Sequence, residues 1–228
     1  MNWFDKLHET FIVDNRYMWM VEGLGNTLLI TLGALVIGVA IGTLVAVAKY
    51  YCEGNKKLRI VSWLCDLYTT VIRGIPMTVL LLLFFFVLFV SARNGVPVAI
   101  AAFGINSGAY MAELIRSGIN AVDRGQMEAG RSLGLSKLQT MRRIILPQAV
   151  RYVLPAVGNE FIALLKETSV AGYVAVVDLT RAGNLVRNNT HDMFNPLMLV
   201  ALIYLFMVVI LTKALGMLER RLAKSDKR

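Results

Sequence analysis

Asn106, Tyr110, Glu113, Asn159 and Glu160 stand inside otherwise apolar runs of this chain, and Lys166, Thr168 and Ser169 follow at the end of one of them. No metal-ligand spacing accompanies them, and the two histidines, His8 and His191, are far apart. Neither a catalytic residue nor a metal site is assigned. The chemistry open to these side chains is hydrogen bonding and ion pairing in apolar surroundings. Polar groups there are costly and are candidates for contact with a polar solute. Asn106, Tyr110, Glu113 and Ser117 follow i, i+4, i+7 and i+11 spacing, so they share one helix face. Arg116 lies three residues after Glu113 and can pair with it. A polar seam that only joins helices is the other reading, and it suits Glu113 and Arg116 best. Asn106 and Tyr110 lie deeper in their run and fit either reading. For the second group, the alternative places Lys166 and Glu167 at a membrane surface, away from any ligand.

The elements that must position these residues are membrane spans. Of 228 residues 57% are apolar and only 17% are charged, against about 45–50% and about 25% in soluble domains. The net charge of +9 falls between and after the apolar runs, with no aromatic-interleaved basic face, which excludes nucleic acid as a partner. Apolar stretches at 24–48, 77–90, 96–119, 148–165 and 196–215 predict five spans. A moderately polar helix over 58–72 precedes the second, with a break at Arg73-Gly-Ile-Pro76. The basic segments 49–59 and 116–151 and the tail read as cytoplasmic. The N-terminus and 166–195 carry no basic excess and read as external. Residues 1–22, acidic and aromatic, predict an interfacial segment resting on lipid. Residues 219–228 are a basic cytoplasmic tail. Cys52 and Cys65 lie beside Lys56, Lys57 and Arg59 and read as reduced thiols. No internal repeat and no cleavable signal peptide are evident. The expected fold is all-α: a polytopic membrane helical bundle with about five transmembrane helices plus short cytoplasmic helices.

Those short helices come from residues 128–147, EAGRSLGLSKLQTMRRIILP. Asp123 and Gln126 have capping-box spacing and predict a helix running to Leu133. Glu128 in an early turn suits the positive end of the helix dipole, and Gly134 suits a left-handed C-terminal cap. Ser136 and Gln139 repeat the box and begin a second helix. Leu138, Met141, Ile144 and Ile145 would line one face of it, and Pro147 would stop or bend it. An amphipathic loop tied to anionic lipid needs charge and an apolar face, but not two capped helices with a glycine corner. The pattern therefore points to a rigid knob for a protein partner.

The same residues resemble the signature of the permease subunits of bacterial ABC importers: E-A-A, three residues, G, nine residues, I, one residue, L-P. Glu128, Ala129, Gly130, Gly134, Ile144, Leu146 and Pro147 stand at matching spacing, with Gly130 where alanine is usual. That substitution predicts a local helix weaker by up to about 1 kcal/mol. Residues 73–76 (RGIP), 109–129 and 159–170 resemble the polar amino acid branch of that family, so the similarity covers roughly 20–216. The branch's usual L-L-V-Q after this break is Met77, Thr78, Val79, Leu80 here.

The resemblance implies a permease domain over 23–218 whose coupling segment, 123–147, docks into a separate ABC ATPase subunit. It implies a second permease copy or paralogue, an extracytoplasmic substrate-binding protein and an amino acid substrate, in a bacterial cytoplasmic (inner) membrane. The N-terminus would lie outside and the C-terminus in the cytoplasm. ATP and Mg would be held by the partner ATPase, since this chain has no G-x-x-x-x-G-K-[ST] loop and no cofactor of its own. A zwitterionic substrate needs acceptors for its ammonium and donors for its carboxylate. Asn159 offers either, Glu160 the first and Lys166 the second. The competing function is an ATP-independent secondary transporter or channel.

Overall fold

The computed structural model describes residues 2–52 and 56–225, and every described element is helical. Glu53 of the basic loop and Lys227 and Arg228 of the tail lie outside the described residues. In chain order the helices are α1 (Trp3–Phe11), α2 (Tyr17–Cys52), α3 (Arg59–Gly74), α4 (Met77–Leu83), α5 (Gly95–Asn120), α6 (Arg124–Ser132), α7 (Lys137–Thr140), α8 (Leu146–Glu167), α9 (Leu179–Thr190) and α10 (Asn195–Ser225).

Among the described residues, three helices are long and apolar enough to cross a membrane by length and composition: the α2 region, α5 and α10. Counting α3 with α4, broken at the Gly74–Pro76 step, as one span makes four. The expected fourth span, α8, has 22 residues, about 33 Å at helical rise, which is span length. Arg151, Asn159, Glu160 and Lys166 dilute its apolar character. The expected interfacial segment 1–22 divides. Only α1 is separate, and residues 17–22 are the first turns of α2, because no breaker follows Tyr17.

Packing parts the chain into two compact units. Unit 1 comprises 1–36, 75–104 and 161–212; unit 2 comprises 37–74, 105–160 and 213–228.

In unit 1, α9 packs Leu179, Ala182 and Val186 against Met20 and Val200. Polar clasps fasten the same region. Thr27 Oγ1 accepts the Leu179 amide at 3.0 Å, and Asn26 donates to the Val177 carbonyl at 2.9 Å. Asp192, buried, accepts from Thr10 Oγ1 at 2.9 Å and Asn195 Nδ2 at 2.6 Å, with Lys6 Nζ 3.6 Å away.

In unit 2, α2 meets α5 at close range. A Cβ on Gly42 would stand 2.4 Å from Met111 Cβ, and one on Gly38 2.7 Å from Ser107 Oγ. Small residues four apart let two membrane helices touch backbone to backbone. α3 turns its apolar stripe outward: Ile60, Trp63, Leu64, Leu67 and Val71 are exposed, as suits lipid. Its other side makes the polar contacts, Asp66 pairing with Lys49 and Tyr68 donating to the Ile105 carbonyl at 2.7 Å.

Two of the long apolar helices differ sharply in enclosure. In α5, 61% of the most apolar window is buried, and in α10 only 6%. α10 therefore leaves much of its apolar surface open to lipid or another subunit, beyond the residues that pack on the unit 1 core.

Candidate functional site

The segment 123–147 folds into an elbow within unit 2. Asp123 caps α6, its Oδ1 accepting the Gly125 amide at 2.6 Å. The bond goes to the second helical residue, and the reciprocal Gln126 arm of a capping box is not formed. α6 ends as expected. Gly134 has φ +84°, Leu135 N donates to Gly130 O at 3.1 Å, and Gly134 N donates to Arg131 O at 3.0 Å. Those two bonds with a left-handed glycine are a Schellman cap. The second box is complete: Ser136 N donates to Gln139 Oε1 at 2.8 Å, and Gln139 N to Ser136 Oγ at 3.2 Å.

Gly130 turns from a liability into a requirement. It is buried, and a Cβ there would stand 2.5 Å from Thr140 Cγ2 and 3.2 Å from Ile144 Cδ1. The alanine of the usual signature would collide with the second helix, so glycine lets α6 and α7 close on each other. Glu128 and Ala129 remain exposed, and Leu133 at the corner is 81% exposed.

The second helix departs from expectation in two ways. Pro147 does not stop it; the chain stays helical from Lys137 through Glu167. The turn Met141–Ile145 widens to π geometry, with Leu146 N donating to Met141 O. That extra residue removes the clash and the lost bond that Pro147 would impose on a regular helix. The wider turn also shifts the face. Met141 and Ile145 are buried with Val122 and Ala149, Ile144 packs beside them, and Leu138 is 58% exposed rather than inward. Lys137 lies 5.1 Å from the ring centroid of Tyr50 at the end of α2, tying the elbow to that helix.

Of the polar candidates, five belong to unit 2. Asn106 is buried, and Tyr110 is 36% exposed. Glu113 pairs with Arg116 at 2.8 Å, as the spacing predicts. Asn159 is exposed, while Glu160 is half-buried and accepts from Ser107 Oγ at 3.3 Å. Ser107, wholly buried, joins α5 to α8 and was not among the candidates, since it lies off the i, i+4, i+7 face. Arg73 was also missed: its guanidinium lies 5.1 Å from the Tyr110 ring centroid. The sequence showed Arg73 only as part of a helix break and of the RGIP stretch that resembles the polar amino acid branch.

Lys166, Thr168 and Ser169 belong to unit 1. Lys166 is exposed, and the buried Thr168 donates to the Leu165 carbonyl at 2.7 Å. Ser169 borders a cleft of about 540 Å³ with Tyr173, Asp178, Arg181 and Asn184. Burial pushes the Asp178 carboxyl up, against hydrogen bonds from the Thr180 and Arg181 amides. Among the described residues, no group of three or more His, Cys, Asp or Glu is placed to hold a metal ion.

Residues 38–224 match the family described as "Binding-protein-dependent transport system inner membrane component". An arginine transport system permease protein of Bacillus subtilis, ArtQ, is 34% identical over 219 residues, covering 91% of this chain and 94% of that one. A second Bacillus subtilis relative, named "Probable glutamine ABC transporter permease protein GlnM", is 36% identical over 96% of this chain and 100% of its own length. A solved amino acid ABC transporter with histidines is 38% identical, with TM-score 0.84, over 92% of this chain and 98% of that chain. The MetNI methionine transporter in an inward-facing form shares the fold at 21% identity, with TM-score 0.77, over 90% of this chain and 97% of that chain.

Proposed function

This chain belongs to the family of binding-protein-dependent transport system inner membrane components, and we propose that it is the permease subunit of an ATP-driven importer for amino acids. The observation that carries this reading is the elbow: two capped helices with a left-handed glycine corner, in the residues whose spacing matches the importer signature. Two such permeases, identical or related, would enclose the pathway. Each would seat Glu128–Gly134 in a cleft of a separate ATPase subunit, which binds ATP and Mg. An extracytoplasmic binding protein would deliver the amino acid. The named relatives carry arginine or are designated for glutamine, which supports a polar amino acid as cargo.

The elbow is stiff enough to act as a lever. Its corner is fixed by four backbone or side-chain bonds, and α7 runs without interruption into α8. Motion of an attached ATPase therefore turns or tilts α8 as a body. With the basic segments inside, the N-terminus lies outside the inner membrane and the C-terminus in the cytoplasm. Residues Asn106, Tyr110, Glu113, Asn159 and Glu160 in unit 2, and Lys166, Thr168 and Ser169 in unit 1, are the proposed pathway contacts.

Co-purification and uptake test the reading. Glu128→Lys and Gly134→Trp should each lower ATPase recovery and ATP-driven amino acid uptake by more than about tenfold, a loss of about 1.4 kcal/mol or more, at unchanged chain abundance in the membrane. If both variants keep the partner and full uptake, this segment does not couple the two.

A further inference from the structure

The last turn of α3 carries Arg73, whose guanidinium lies 5.1 Å from the Tyr110 ring centroid of α5. Both residues stand several turns from the basic ends of their helices. Fourteen residues separate Arg73 from Arg59 at the start of α3, about 21 Å of helical rise. Ten separate Tyr110 from Asn120 at the end of α5, about 15 Å. A charge at that depth in a span marks a functional position and needs a partner. Of the carboxylates along the same helices, Asp66 pairs with Lys49, and Glu113 holds Arg116 at 2.8 Å while lying within Coulombic reach of Arg73. The close contact of Arg73 is with an aromatic face. Both members of the pair are exposed, so the contact is open to a solute. A cation in the last turn also offsets the helix dipole, but a lysine would do that as well, and it does not require a tyrosine.

We propose that Arg73 and Tyr110 form an exchangeable half-site for the ammonium and carboxylate groups common to free amino acids. The guanidinium occupies the ring face that a ligand ammonium would take. An arriving zwitterion supplies both halves of an exchange. Its ammonium stacks on the Tyr110 ring, and its carboxylate takes the planar fork of Arg73 in two parallel hydrogen bonds. Neither cation is left without a partner. A bare cation would leave the guanidinium to share Glu113 with Arg116, and a bare anion would leave the ring without its cation. Each satisfies only one half of the pair. The inference rests on the permease reading and deepens it. The half-site recognises what all amino acids share, and leaves side-chain choice to other residues.

The test follows thermal unfolding of the purified full chain in nanodiscs with each standard L-amino acid at millimolar concentration. Their N-acetyl and carboxamide forms serve as controls. At least one free amino acid should raise Tm, and its two blocked forms should not. Arg73→Gln and Tyr110→Leu should weaken its Kd by about tenfold or more. Tyr110→Phe, which keeps the ring, should restore the binding lost in Tyr110→Leu. Arg73→Lys, which keeps the charge but not the fork, should fall between. The ligand-free Tm of each variant reports its folding, and the two conservative variants decide the matter if the others do not fold. Equal shifts from the blocked forms, an unchanged Kd in Arg73→Gln and Tyr110→Leu, or no shift from any free amino acid would each overturn the half-site. Uptake by cells separates the two readings. If deleting the chain abolishes uptake of an amino acid but both variants retain it, the permease stands and the half-site falls. If deletion changes no amino acid's uptake, the permease reading fails too.

Discussion

The α6–α7 elbow and α9 begin alike, each behind a capping aspartate, and then treat their side chains in opposite ways. α6 buries one residue, Gly130, and leaves Leu133 81% exposed at its corner. α9 buries Leu179, Ala182, Gly183 and Val186. Their caps follow suit: Asp123 is exposed, whereas Asp178 is fully enclosed and its carboxyl is pushed up by burial. The same local signal thus begins a helix that faces outward in one unit and a helix that holds its surroundings together in the other. What differs is the side chains that follow the cap. Small and aliphatic residues at helical spacing carry α9 inward, while arginine, glutamate and a terminal glycine keep α6 at the surface.

Substitutions can break this contrast, and on a scale of stability they should rank as follows. Gly23→Val should be the most damaging. Its Cβ would stand 2.8 Å from both the Asp178 carbonyl oxygen and Ala182 Cβ, and backbone cannot yield as a side chain can. A loss of about 3 kcal/mol is expected, read as a large drop in Tm of the purified chain.

Next comes the elbow's own close contact. Gly130→Ala should cost about 1–3 kcal/mol and unseat α6 from α7. Thr140→Ala, which removes the opposing Cγ2, should recover most of that loss in the double variant. A double-mutant cycle on Tm and on ATPase co-purification measures the coupling. Additive effects would mean that the two helices do not touch there.

A third test addresses the clasp that fastens α1 to the residues after α9. Burial raises the Asp192 carboxyl, but hydrogen bonds from Asn195, Thr10 and the Phe194 amide outweigh it and hold the group below the usual carboxylate range. With the folded value lowered, the stabilisation is complete above the unfolded value of about 4 and disappears as pH falls through the folded one. Asp192→Asn should therefore destabilise the chain at neutral pH by about 1–3 kcal/mol, read as a lower Tm. The gap from the parent chain should close as pH is lowered toward 3. A constant gap across that range would show that the charge is not what holds the clasp.

The smallest effect on stability should be at Leu133. Leu133→Ser removes an apolar side chain that touches little of its own chain, and it should change stability by no more than about 0.5 kcal/mol. If the corner seats in a partner, the same variant should still reduce ATPase co-purification. A Tm penalty comparable to that at Gly130 would erase the distinction between outward and inward helices.

Legibility in the sequence followed the range over which each signal acts. The caps at Asp123, Gly134, Ser136 and Gln139 were readable because each bond reaches no more than five residues along the chain. The Glu113–Arg116 pair was readable for the same reason. The value of Gly130 was not, because Thr140 lies on another helix and only the folded corner brings it near. α9 was missed because its mixed composition looks like a loop until Met20 and Val200 supply its apolar partners. Arg73 was hidden by the breaker residues beside it, since its meaning depends on Tyr110 of a helix far along the chain. Pro147 misled because a proline normally interrupts a regular helix, and a single surplus residue upstream is invisible in a hydropathy pattern.

That surplus residue has a consequence of its own. Successive positions on a regular helix are about 100° apart, so the wide turn at Met141–Ile145 sets the azimuth at which every later side chain of α8 points. Excising one residue from it would swing Asn159 and Glu160 around the helix axis by roughly that angle, while the corner from Asp123 to Thr140 kept its sequence and its caps. The loop of one extra peptide is thus a clockwork offset, and a drive shaft shortened by one tooth would still turn but with its working face pointed elsewhere.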